Sequence, residues 1–182
     1  YTPMGNPIRH GQAPTATEGW SVSLSNDGLI VAVGAPTVEI PSDDAGAVRV
    51  YEFVNGEWEQ LGQELLGDGR RDLFGSSVSL YGDGSTVAIG SINDATQNGD
   101  NTGYVRIYQY DATNMKWNRF GKTILGEGDG GHSVISVSLS NDGKTVAIGA
   151  DRHGDGGRVR VFEYDEDNTY WRQFADIDGK EK

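Results

Sequence analysis

Apolar and polar positions alternate strictly in three short runs, Val22-Ser23-Leu24, Val78-Ser79-Leu80 and Val137-Ser138-Leu139, spaced 56 and 59 residues apart. A period of two predicts strands with one face more buried than the other. Each run leads into Asn26-Asp27-Gly28, Gly82-Asp83-Gly84 or Asn141-Asp142-Gly143. These residue types tolerate positive φ and predict a tight hairpin. The second strand of each hairpin is expected over 30–34, 86–90 and 145–149. Its almost unbroken apolar character predicts burial on both faces. After a loop of varying length comes a third strand, at Val48-Arg49-Val50-Tyr51, Val105-Arg106-Ile107-Tyr108 and Val159-Arg160-Val161-Phe162. A polar turn then precedes a fourth, over 58–66, 117–125 and 171–177, headed by Trp58, Trp117 and Trp171.

Four short antiparallel strands recurring every 54 to 59 residues, with no helical period between them, predict an all-β fold of propeller blades. The expected division is an outer strand and linker over 1–18, then blades over 19–68, 69–127 and 128–182. Met4-Gly5-Asn6-Pro7-Ile8 matches Leu61-Gly62-Gln63-Glu64-Leu65 and Phe120-Gly121-Lys122-Thr123-Ile124. It therefore reads as the fourth strand of a preceding blade. Propellers have about four to eight blades, so the expectation is a segment of a larger ring with uncovered apolar end faces. Further blades of the same chain, or other copies of it, would be the partners there.

Composition narrows the class of partner. The 182 residues carry a net charge of −12, which argues against nucleic acid or an anionic membrane as a ligand. No apolar run is long enough to insert in a membrane, and the absence of cysteine excludes disulfides and thiolate metal sites.

Phe74-Gly75-Ser76-Ser77-Val78, Gly34-Ala35-Pro36 and Gly103-Tyr104-Val105-Arg106-Ile107-Tyr108 resemble FG-GAP repeats, which build the propeller of integrin α subunits and related extracellular proteins. The resemblance runs through essentially the whole chain. The FG opening is intact only at Phe74-Gly75, and the full GAP only in the first repeat. It implies an extracellular or cell-surface scaffold for adhesion or protein recognition, without a reaction of its own. A carbohydrate-binding propeller is the alternative, and a glycan-active enzyme a third reading.

Many FG-GAP propellers carry a DxDxDG loop for calcium. Here the hairpins hold one carboxylate each, at Asp27, Asp83 and Asp142. Calcium takes six to eight oxygens, so it is neither required nor supported by a full loop. The loops between second and third strands, 37–46, 91–103 and 150–157, are the better candidates for ligand binding. They offer Asp43, Asp44, Asn93, Asp94, Asp100, Asn101, Asp151 and Asp155, with Asp94 and Asp100 as the candidate metal ligands. These loops diverge while the strands agree, as in a scaffold with diversified rims. The expected ligand is a protein or a glycan.

Arg49, Arg106 and Arg160 recur at one position, which favours blade-to-blade ion pairs, with Glu52 or Glu163 among the acids at hand. The recurring tryptophans are expected to pack between blades, and Trp20, standing for Phe74, to lie in the core. The histidines His10, His132 and His153 fall at unrelated loop positions, with no nucleophile–base spacing beside them. Ser140-Asn141-Asp142-Gly143-Lys144-Thr145 resembles the sialidase Asp-box with its glycine one residue early, and that box is structural. The expectation from sequence is a chain that is not an enzyme.

Overall fold

The computed structural model describes residues 4–8, 17–39, 44–93, 102–127, 134–150 and 156–179. Fourteen strands form three antiparallel meanders, and no helix occurs among the described residues. The first sheet comprises β1 (Ser21–Leu24), β2 (Ile30–Ala35), β3 (Ala47–Val54), β4 (Glu57–Gln60) and β5 (Leu65–Leu66). The second comprises β6 (Phe74–Leu80), β7 (Thr86–Ser91), β8 (Tyr104–Asp111), β9 (Lys116–Arg119) and β10 (Ile124–Leu125). The third comprises β11 (Ser136–Leu139), β12 (Thr145–Ala150), β13 (Arg158–Asp165) and β14 (Tyr170–Asp178).

The expected fourth strand is split in the first two sheets. β4 and β5 both pair with β3, and β9 and β10 both pair with β8. The break falls at Gly62 (φ +74°) and Gly121 (φ +78°), left-handed conformations that glycine enters without steric penalty. In the third sheet Ala175 stands near this place, and β14 runs unbroken with one irregularity opposite Val161 and Phe162.

Alternation along the strands assigns the core. Val48 and Val50 of β3 pack forward on Val87, Ile89 and Tyr104 of the second sheet. Val105 and Ile107 of β8 pack forward on Val146, Ile148 and Phe162 of the third. Two interfaces between consecutive sheets thus hold most of the core, as in a stack of propeller blades. Each fully buried Val or Ile contributes about 1.5–3 kcal/mol relative to exposure.

The two end faces lack such cover. Leu65 and Ile124 are 4% and 6% exposed, whereas Ile177, at the same place in the third sheet, is 65% exposed. On the opposite end, Val22 and Leu24 are 63% and 58% exposed against 9% and 7% for Val78 and Leu80.

Trp20 departs from the core position expected of it, being 64% exposed while Phe74 is fully buried. The cause is local. β6 has an irregularity between Phe74 and Ser77, with Gly75 at φ +90°, which turns Phe74 into the first interface beside Tyr104. Trp20 is simply tied by its N–H to Gly34 O, on the uncovered face.

Met4–Ile8 forms no strand, in contrast to the fourth-strand reading of its sequence. The Trp58 indole donates to Met4 O at 3.1 Å.

Candidate functional site on the propeller rim

The rim is organised by the link between the first two sheets, Leu66 to Phe74. Gly67 N bonds Gly46 O, Phe74 N bonds Ala45 O, and Gly46 bridges Phe74 in parallel. The link closes on Asp72, whose side chain is fully buried. Its Oδ2 accepts the Gly69 N–H at 2.8 Å and the Tyr104 hydroxyl at 3.0 Å. Its main-chain oxygen accepts the Asn93 N–H and the Ser91 hydroxyl. Burial pushes the Tyr104 hydroxyl well above its ordinary value, so it remains a donor throughout the physiological range.

Two of the eight proposed ligand residues are described, and both adjoin this link. Asp44 O accepts the Leu73 N–H, and the Asn93 side-chain amide donates to Arg71 O at 2.9 Å. Loops from two blades therefore meet at one place, as the propeller layout requires. Asp44, Arg71 and Leu73 all have φ between +51° and +62° there. Left-handed φ at a non-glycine residue costs about 1–2 kcal/mol, and such strain gathers at sites over-determined by their surroundings. Asp43, Asp94, Asp100, Asn101, Asp151 and Asp155 lie outside the described residues. Asp72 and Tyr104 were not singled out from sequence. In the run Asp68-Gly69-Arg70-Arg71-Asp72 nothing marks the second aspartate for burial, which comes from tertiary closure of the link.

The recurring arginines are buried, with side chains 5–6% exposed, and Arg106 and Arg160 pair across the interfaces between sheets. Their partners differ from the Glu52 and Glu163 considered in the sequence. Arg49 pairs with Glu18 at 2.7 Å and with Glu64, Arg106 with Asp68, and Arg160 with Glu127 at 3.3 Å. Glu163 pairs with Arg172 at 3.6 Å instead. The reason is direction. Side chains three residues apart on a strand leave opposite faces. Arg106 and Arg160 turn toward the acid just after the outer strand of the preceding sheet, and Arg49 toward Glu64 of its own outer strand and Glu18 ahead of β1. The Arg106 guanidinium also lies over the Tyr104 ring, 4.4 Å from its centroid. Burial opposes the charge of both Arg106 and Arg160. At Arg106 the Asp68 hydrogen bond, with attraction from Tyr104 and Tyr108, outweighs burial and raises the pKa. At Arg160 burial prevails and lowers it.

The tryptophans form a ladder. Trp58, Trp117 and Trp171 donate from Nε1 to Met4 O, Leu61 O and Phe120 O at 3.1, 2.8 and 2.9 Å. Each acceptor directly precedes a glycine of φ +73° to +78°, namely Gly5, Gly62 and Gly121. A β-carbon at Gly62 or Gly121 would stand 2.8 Å from the indole Cδ1. Glycine is needed there for close approach as well as for φ.

In the hairpins, Asp27 and Asp142 are occupied by their own turns. Asp27 Oδ1 accepts the Ser25 hydroxyl at 2.6 Å and the Leu29 N–H at 2.9 Å, and Asp142 Oδ1 accepts the Ser140 hydroxyl and the Lys144 N–H. The serine hydroxyl is the main cause that holds each carboxyl below its usual range. Among the described residues no three acidic or imidazole side chains converge where one ion could sit.

No protein family is matched by this sequence, and no curated protein resembles it closely enough to register. Solved structures do resemble its fold. A protein from Bacteroides uniformis named as a candidate 6-phosphogluconolactonase superposes with a TM-score of 0.60 at 14% identity, over 87% of this chain and 40% of its own. A selenium-binding protein named as hypothetical, from Sulfolobus tokodaii, gives 0.58 at 12% identity, over 87% and 40%. Sqt1 of Saccharomyces cerevisiae gives 0.56 at 14%, over 91% and 36%. The chain thus spans about two fifths of the length of these neighbours. The expectation that the chain is not an enzyme is corrected by the first of them. An arrangement of blades like this one occurs in a protein bearing an enzyme's name, so the fold gives no ground for excluding catalysis. At these identities the likeness is one of fold, and the fold is that of β-propeller blades.

Proposed function

We propose that this chain forms part of an extracellular or cell-surface propeller of the FG-GAP kind, which recognises a protein ligand through its rim loops. One observation carries the reading. The recurring arginines and tryptophans are engaged inside the stack, at Arg106, Arg160, Trp117 and Trp171 with the preceding sheet, while the repeats diverge in the loops that meet around Asp72. What is shared serves the stack, and what differs is left to face a partner. The engaged indoles also argue against the recurring tryptophans as a sugar-stacking platform.

The test is adhesion of intact cells to the immobilised chain, with Asp94, Asp100 and Asn101 replaced together by alanine. Adhesion should fall at least tenfold while the thermal unfolding midpoint stays unchanged. Adhesion that persists in this variant would sink the reading. Titration with calcium chloride decides separately whether Asp94 and Asp100 hold an ion.

A further inference from the structure

Both junctions between consecutive sheets carry an indole bonded to a carbonyl of the preceding outer strand, but they differ in what lies beside that indole. At the first, the Gln63 side chain lies across the outer edge of β9, donating from Nε2 to Trp117 O at 2.7 Å. It also accepts the Trp117 N–H on Oε1 at 2.9 Å. The amide of Gln63 thus does what one residue of an added antiparallel strand would do. At the second junction the same position, immediately after the glycine, is Lys122, which can accept no hydrogen bond.

The main chain of Trp171 is oriented like that of Trp117. Tyr164, its register partner, gives its N–H to Lys144 O, away from β14, as Tyr110 gives its own to Ser85 O. The N–H and C=O of Trp171 therefore face the outer edge, and no side chain among the described residues takes them. In place of the plug there is a cleft of about 340 Å³, lined by Lys122, Leu125, Phe162 and Trp171 and, at its far side, by the Glu127–Arg160 pair, among others.

We propose that this cleft between β10 and β14 binds an extended peptide segment bearing an acidic side chain, whose main-chain amide takes the place that Gln63 fills at the first junction. Pairing of a strand with an exposed edge is an established mode of peptide capture. Charge selects the acidic side chain. Lys122 carries that selection, being exposed and without an ion pair among the described residues, whereas Arg160 is already held by Glu127 at 3.3 Å and by Leu125 O at 3.0 Å. Leu125, 36% exposed, and Phe162 offer the apolar floor. A glycan is disfavoured because the Trp171 ring is 6% exposed and committed to Phe120 O and the Phe120 and Tyr164 rings. The site does not depend on the rim loops.

Amide hydrogen exchange of the whole chain, followed by NMR, tests the geometry before any ligand is added. The Trp171 amide should exchange at least tenfold faster than that of Trp117, and Lys122→Gln should slow it to the Trp117 rate. Equal protection in the unmodified chain would overturn the proposal. The binding probe is a blocked Thr-Val-Glu-Val-Thr peptide, with Thr-Val-Lys-Val-Thr and chitotriose alongside. The glutamate peptide should protect the Trp171 amide and shift resonances of 122–125 and 170–173. Lys122→Gln should abolish that effect, and Lys122→Ala should weaken it about tenfold. Binding that survives Lys122→Gln, or that is seen only with the lysine peptide or the sugar, refutes it.

Discussion

Replacing Gly62 by alanine isolates the contact that joins one outer strand to the next. The substitution has two consequences, and a matched control separates them. The first is backbone strain at φ +74°, about 1–2 kcal/mol for an L-residue. The second is the overlap of the new β-carbon with Trp117, which it would meet 2.8 Å from Cδ1 and 3.1 Å from Nε1. Forcing a methyl into such a packed place costs roughly 1–3 kcal/mol. Displacing the indole also endangers its bond to Leu61 O, about 0.5–1.5 kcal/mol. Gly28 has φ +73° and nothing within 4 Å of a β-carbon, so Gly28→Ala carries the strain alone. Urea unfolding followed by far-UV circular dichroism and by tryptophan fluorescence should therefore show about 1–2 kcal/mol lost in Gly28→Ala and about 2–5 kcal/mol in Gly62→Ala. Equal losses in the two variants would show that the indole–glycine contact contributes nothing, and the ladder would be a coincidence of repetition.

Three further outcomes are expected. The Asp68 carboxyl is held below its ordinary value of 3.8, chiefly by its hydrogen bond to Arg106. Its contribution to stability is thus complete above that value and is lost as pH falls through the lower folded one. Asp68→Asn should destabilise at pH 6, and the gap to the parent should close below about pH 4 in acid unfolding curves. Tyr104→Phe removes one donor from the buried Asp72 carboxylate and should cost about 1.5–3 kcal/mol in chemical denaturation. Paired replacement of Val22 and Leu24, or of Phe174 and Ile177, by serine should reduce self-association in sedimentation velocity. It should change stability by less than about 0.5 kcal/mol, because these side chains are already exposed.

Strand alternation and turn chemistry made the three meanders legible, because local pattern and tertiary role agree in them. The β7 run is buried along its whole length because sheets cover both its faces, whereas β2 and β12, equally apolar in sequence, belong to the end sheets and are covered on one face. The split of the outer strand was less legible. Leu61-Gly62 and Phe120-Gly121 look like ordinary strand residues until the indole of the following sheet is placed against them. Trp20 shows the opposite failure. A large aromatic aligned with Phe74 reads as core, but burial there depends on the bulge at Gly75, which β1 lacks. At the rim, sequence indicated the loops that approach the link at Asp72, through Asp44 and Asn93. It could not indicate Asp72 itself, because burial of a charged side chain is set by closure of the link around it.

The indole ladder also gives the stack a direction in time. Each acceptor carbonyl precedes its tryptophan in the chain, by 54 residues for Met4 and Trp58, 56 for Leu61 and Trp117, and 51 for Phe120 and Trp171. During synthesis from the N-terminus, every newly made sheet thus emerges beside an anchoring groove that already exists. The order of translation and the order of docking coincide, so no sheet has to wait for a later one before its own tryptophan is seated.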